Sequence, residues 1–163
     1  KDTVADHLVQ AHEFYKVAFG EALKQCARQF LGWDGEKDDR GRRLLQRLGT
    51  EVGREYDPDV WIGHVDRRIR QFRIGNPHLQ VVVPDVRFTN EAAWIRSQGG
   101  KVVKIVGRGG LSGDAALHTS EVEMNQIVPD VTVWNDTSIE DLHRRVGGAL
   151  KILEAGKVGE VIH

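Results

Sequence analysis

The sequence predicts an α/β domain: a parallel central sheet flanked by helices. Three observations carry that expectation. The run Gln80-Val81-Val82-Val83 is apolar and β-branched without alternation, which suits a central strand covered on both faces, and Pro84 ends it because proline cannot donate to the next ladder bond. Segments of strand character alternate with segments whose apolar residues recur at helical spacing, the pattern of a parallel sheet with crossover helices. At 163 residues the chain has the size of one domain, able to bury about two-thirds of its unfolded surface.

The elements follow in order. Val4, Ala5, Leu8 and Val9 give a helix that starts at once, over Lys1 to Gln10. Tyr15, Val17 and Phe19 mark a short strand, and Gly20 opens an amphipathic helix with Ala22, Leu23, Cys26, Ala27, Phe30 and Leu31 inward, ended by Gly32-Trp33-Asp34-Gly35. Beyond a polar connector, Leu44, Leu45, Leu48 and Val52 form the buried stripe of a second helix, with Arg43, Arg47 and Arg54 opposite. Asp57-Pro58-Asp59 starts a third, with Val60, Trp61, His64, Val65 and Ile69 inward and Arg67, Arg68 and Arg70 outward. After the strand at 80–83, Thr89 or Asn90 caps a helix that Gly99-Gly100 terminates, and Lys101 to Val106 is the next strand. The segment 107–126 reads as irregular, Val131 to Trp134 as a last short strand, and Ser138 as the cap of a helix burying Ile139, Leu142, Val146, Ala149, Leu150 and Leu153. From Gly156 the chain reads as a loose tail.

Composition narrows the function classes. Net charge is -1, which argues against a protein that coats nucleic acid, yet residues 40–73 hold nine arginines against five acids, a local +4. Arginine's planar fork matches phosphate oxygens, although a charge run on a helix is usually a solvated face. The single cysteine, Cys26, rules out an internal disulfide. The seven histidines lack zinc-site spacing with cysteine, and no secretory or membrane-length apolar run is present, so a soluble, cytosolic protein is expected.

Two short motifs point to chemistry. Asp85 and Arg87 follow the carboxyl end of the strand at 80–83, where open α/β sheets place their ligand crevice; equally, they could be a solvated pair in a loop. Lys1-Asp2-Thr3 at a helix start is either a plain cap or the end of a phosphate loop, Gly-x-x-x-x-Gly-Lys-[Ser/Thr], whose glycines and feeding strand would precede Lys1.

Four separated blocks together resemble the phage-type deoxynucleoside monophosphate kinases, a branch of the P-loop nucleoside monophosphate kinases. They are Lys1-Asp2-Thr3-Val4-Ala5-Asp6; Arg42-Arg43-Leu44-Leu45-Gln46-Arg47-Leu48-Gly49-Thr50 with Tyr56-Asp57 and Trp61; Val83-Pro84-Asp85-Val86-Arg87; and His118-Thr119-Ser120-Glu121 with Trp134-Asn135-Asp136-Thr137-Ser138. The resemblance spans nearly the whole chain. It implies a three-layer P-loop kinase fold as one domain over 1–163, with an acceptor-binding helical region near 36–73 and a lid near 107–126. It also implies transfer of the γ-phosphoryl group of ATP, with magnesium, to a deoxynucleoside monophosphate, in the cytoplasm, or the host cytoplasm for a phage-encoded protein.

Residue roles follow from the same resemblance. Lys1 would reach the ATP phosphates, and Asp2 or Thr3 would hold magnesium; Asp2 stands where the general loop has Ser or Thr. Asn135 and Asp136 would border adenine. Lys24, Arg42, Arg43, Gln46, Thr50, Trp61 and Glu91 would serve the acceptor, with Trp61, Tyr56 or Phe72 stacking on its base, although a Trp on an apolar helix face is more often core. Asp85, Arg87 and Arg108 would act at the transferred group, and His118, Ser120 and Glu121 would belong to the lid. The nucleotides are the expected partners, with no stable nucleic-acid partner, no membrane, and monomer or homodimer both open. The competing readings are another small-molecule P-loop kinase, of phosphomevalonate or dephospho-coenzyme A type, and a nucleic-acid-binding module using the arginines of 40–73.

Overall fold

A computed structural model describes residues 1–107 and 119–163, with the side chains of 119–121 outside the description. The chain forms two compact units, one of Leu8–Asp85 and the other of Lys1–His7 with Val86–His163. Helix α1 (Asp2–His12) contributes to both.

In the Leu8–Asp85 unit, strand β1 (Tyr15–Lys16) pairs in parallel with β2 (Val81–Val82), Tyr15 opposite Val81 and Lys16 opposite Val82. Helix α2 (Phe19–Leu31) ends at Gly32, whose left-handed backbone (φ 65°) lets its N–H reach the Ala27 carbonyl. Helix α3 (Asp39–Gln46) is capped by Asp38, whose carboxylate accepts from the Gly41 N–H at 2.7 Å. It runs on into a π-helical segment, Arg47–Arg54, and α4 (Val60–Gly75) follows. Val17, Phe19, Ala27, Trp33, Ile62, Val65 and Ile69 are buried here.

The second unit carries α5 (Thr89–Ser97), β3 (Val103–Gly107), α6 (Thr119–Met124), β4 (Val131–Asn135), α7 (Ile139–Glu154) and β5 (Glu160–Ile162). Its sheet has the order β3-β4-β5, parallel throughout. Val131 and Val133 on β4 are 0% exposed, and Leu142, Val146 and Ala149 of α7 are buried with them. Asp130 ties the strand entries together: its backbone N–H donates to the Val102 carbonyl at 2.7 Å, its carboxylate accepts from the Val102 N–H at 2.7 Å, and its carbonyl accepts from the Gly159 N–H at 2.6 Å.

The α/β class with parallel strands and flanking helices is therefore present, with several corrections. Among the described residues the strands form two sheets of two and three strands, not one. The strand buried at a sheet centre is β4; Val81–Val83 are only half-buried, because among the described residues β2 pairs on one side only, with β1. The tail from Gly156 is a strand edge, since Gly156 and Gly159 adopt positive φ and turn Glu160–Ile162 back onto β4. Within 107–126, Thr119–Met124 is helical. The second helix's apolar stripe is half-buried and loses Val52, which is 60% exposed, because the wider π turn rotates it off the α-helical stripe. Helix α5 is capped at Phe88, not Thr89 or Asn90. Ser138 caps α7 as expected, accepting from the Asp141 N–H at 3.2 Å. Among the described residues no helix is long and apolar enough to cross a membrane.

Candidate active site

Arginine is the most informative residue type in the Leu8–Asp85 unit, because some of its helical cations have acid partners. Arg47 pairs with Glu51 at 3.1 Å, Arg68 with Glu21 at 2.9 Å and Arg70 with Asp66 at 2.8 Å. Arg42 and Arg43 are exposed, and among the described residues neither guanidinium has an acid partner. They stand on two sides of α3, since neighbours in a helix point about 100° apart. Arg43 lines a cleft of about 590 Å³ with Trp33, Arg40, Leu44 and Arg47, whereas Arg42, Gln46 and Thr50 do not. Arg42, Gln46 and Thr50 recur at four-residue spacing along the segment that carries Arg43.

Trp61 is committed to its neighbours. Its indole N–H donates to the Gly49 carbonyl at 3.0 Å, and its ring lies so close to Gly53 that an added Cβ would stand 2.6 Å from Cζ2. Among the other stacking candidates, Phe72 packs against Tyr15 with centroids 4.2 Å apart, and Tyr56 is 90% exposed. Lys24 is half-buried on α2.

Asp85 has a local duty. Its carboxylate accepts from the Phe19 N–H at 3.0 Å and the Gly20 N–H at 2.8 Å, so the end of β2 caps the start of α2. Gly20 allows this approach, since a Cβ there would lie 3.2 Å from the carboxylate. A second cleft in the same unit is lined by Gln25, His64, Arg67, Arg68, Gln71 and Phe72. Burial first, then the charges of Arg67 and Arg68, push the His64 pKa below its ordinary value, and Glu21 partly offsets them.

In the second unit Arg87 is half-buried and its backbone is fixed. The Glu91 carboxylate, only 1% exposed, accepts from the Arg87 N–H at 2.8 Å and the Phe88 N–H at 3.1 Å, closing the first turn of α5. Glu91 therefore holds the backbone that carries Arg87. Gly107 and Asn135 are register partners at the carboxyl ends of β3 and β4, where parallel sheets place ligands. A Cβ on Gly107 would sit 3.2 Å from the Asn135 amide nitrogen.

Asp136, next in line, is held by Arg145, which the sequence reading did not single out. This buried guanidinium donates to the Trp134 carbonyl and to Asp136 Oδ1, both at 2.7 Å, and pairs with Asp141 at 2.9 Å. The bond to Asp136 raises the Arg145 pKa above its ordinary value. The Thr137 hydroxyl first, then Arg144, holds Asp141 below the usual carboxylate range. The four-residue spacing from Asp141 to Arg145 on one helix was the legible signal.

Lys1, Asp2 and Thr3 are exposed at the start of α1. A carboxylate and a hydroxyl there form an all-oxygen donor set, which fits magnesium; among the described residues no group of three or more His, Cys, Asp and Glu gathers. Arg108 and His118 lie outside the described residues, and so do the side chains of Ser120 and Glu121.

Comparison with known proteins gives a consistent result. A family model described as deoxynucleotide monophosphate kinase matches residues 33–146. A protein of Acanthamoeba polyphaga mimivirus, provisionally named a deoxynucleotide monophosphate kinase, is 32% identical over 171 residues, covering 90% of this chain and 88% of its own. The deoxynucleotide monophosphate kinase of Enterobacteria phage T4 is 30% identical over 118 residues, 69% of this chain and 46% of its own. No solved structure matches. With the family model covering more than half of the chain, including α3, the π-helical segment, Asp85, Arg87 and Asn135, the chain belongs to the deoxynucleotide monophosphate kinase family.

Proposed function

We propose that this protein is a P-loop kinase that transfers the γ-phosphoryl group of ATP to a deoxynucleoside monophosphate, giving ADP and the diphosphate. The observation that carries the reading is the pair Arg42 and Arg43, exposed and without acid partners among the described residues, inside the segment that matches the family model. Uncompensated guanidiniums are suited to a dianionic acceptor phosphate, which they bind through paired N–H donors.

Phosphoryl transfer asks the protein mainly to position two anions and to stabilise charge as it develops between them. In this reading Arg42, Arg43, Gln46, Thr50 and Lys24 hold the acceptor. Lys1 reaches the β- and γ-phosphates of ATP, aided by the positive end of α1, and Asp2 or Thr3 holds magnesium. Magnesium held there would supply positive charge against the phosphates. Asn135 and Asp136 border the adenine at the carboxyl ends of the β3-β4-β5 sheet, with Arg145 keeping Asp136 in place. Arg87 acts on the transferred group, on a backbone that Glu91 fixes. Asp85 sets the start of α2 and hence the placement of Lys24.

A panel assay tests the reading. The full-length protein, given magnesium and ATP, is expected to release ADP only when a deoxynucleoside monophosphate is added. ADP release with phosphomevalonate or dephospho-coenzyme A, and none with any deoxynucleoside monophosphate, would replace the acceptor class.

A further inference from the structure

Two histidines outside the expected site lie face to face, each on its own helix. The rings of His7 on α1 and His143 on α7 are stacked, with centroids 3.8 Å apart and planes 6° from parallel. Both residues are half-buried, and both belong to the unit of Lys1–His7 with Val86–His163. His143 Nε2 is shut off from solvent and has no hydrogen-bond partner among the described residues. A buried nitrogen left unpaired costs stability, so the gain from this ring does not come through that atom. It comes from the flat face.

That face joins two helices that lead to opposite ends of the proposed ATP site. His7 follows Lys1 by six residues, about 9 Å along a helix axis. His143 stands two residues before Arg145, whose guanidinium holds Asp136 and the Trp134 carbonyl, both at 2.7 Å. Buried apolar residues, Val4 and Ala5 on α1 and Leu142 and Val146 on α7, set how deeply each helix packs, but such contacts are non-directional. A parallel ring stack is different, because rotation or slip of either helix pulls the planes out of register.

We propose that His7 and His143 are a positioning pair for ATP: their stack fixes the spacing between the phosphate end of the site, at Lys1 to Thr3, and the adenine end, at Asn135 and Asp136. The inference rests on the kinase reading and deepens it. A ligand that spans both ends gains from a spacing fixed in advance, whereas one that occupies the phosphate end alone does not.

Isothermal titration of the full-length protein with magnesium-ATP and with magnesium and inorganic triphosphate separates the two cases. His143→Leu fills much of the space without a planar face and should weaken ATP about threefold to tenfold, the range of an aromatic pair, while triphosphate stays within about twofold. His143→Phe restores the face. Its ATP affinity should return to within about twofold of wild type, with Tm at or above wild type because no buried nitrogen is left unpaired. His7→Leu should match His143→Leu, and the double variant should lose no more than either single one, since both changes remove the same contact. The KM for ATP should follow the titrations, with the KM for the deoxynucleoside monophosphate within about twofold throughout. Unchanged ATP affinity in folded His143→Leu, equal losses for ATP and triphosphate, or His143→Phe binding ATP no tighter than His143→Leu would each overturn the positioning role. Wild-type protein that binds ATP but releases no ADP with any deoxynucleoside monophosphate would overturn the kinase reading alone, and wild-type protein that does not bind ATP would overturn both.

Discussion

At the scale of single residues, acid partners mark arginines that carry a structural role. Arg47, Arg68, Arg70 and Arg145 have acid partners, so replacing any one would leave an acid without its cation. Arg42 and Arg43 have none among the described residues, so Arg42→Ala or Arg43→Ala should leave Tm nearly unchanged and raise the KM for the acceptor about tenfold to a hundredfold. Steady-state kinetics beside a thermal melt checks both halves. Arg87→Lys keeps the charge and loses the fork; turnover should fall about a hundredfold to a thousandfold with melting unchanged, whereas lower Tm with normal turnover would mark a structural role. His64 gives a pH signature. Its folded pKa lies below the ordinary 6.5, so the unfolded chain binds the proton more readily. Its contribution to stability is present above that ordinary value and is lost as pH falls through the folded one. Urea midpoints from pH 7.5 downward should therefore fall less steeply in His64→Gln than in wild type.

At the scale of elements, helix ends are fixed by side chains that were only partly legible in the sequence. Ser138 was readable because a serine directly before an apolar-periodic run is a local signal, and Ser138→Ala should lower stability by about 1 kcal/mol in chemical denaturation. The caps of α2 and α5 were not. Asp85 caps α2 from 65 or more positions away, and Glu91 caps α5 by folding back on the Arg87 and Phe88 amides, so neither shows in a window of neighbouring residues. Apolar spacing reports burial at Val65 and Ile69 and at Leu142, Val146 and Ala149, but not at Phe30, Leu31 and Ile139, expected inward and instead 73%, 52% and 57% exposed near the ends of their helices. The π register was invisible, because two glycines in a helix read locally as weakness and gain their meaning only from Leu23 and Trp61. Strand rank was misjudged for a similar reason. Val81-Val82-Val83 is as apolar as Val131 and Val133, and only pairing on both sides makes β4 the buried one.

At the scale of the whole molecule, two units each hold their own parallel strands and their own candidate residues. The Leu8–Asp85 unit carries Lys24, Arg42, Arg43, Gln46, Thr50 and Trp61; the other carries Lys1, Arg87, Asn135 and Asp136. That division follows the chemistry proposed for them, acceptor on one and ATP on the other. The sequence made the family's blocks legible because each clusters charge or glycine at a turn or helix start, but not the Arg145 network that holds Asp136, whose parts are spread over β4 and α7. Phosphorus NMR on the full-length protein with magnesium, ATP and one deoxynucleoside monophosphate follows the transferred atom itself. The γ-phosphate resonance of ATP should decline as the β-phosphate resonance of the deoxynucleoside diphosphate grows in equal amount. Growth of free inorganic phosphate with no diphosphate product, or spectra identical with and without the monophosphate, would contradict the transfer.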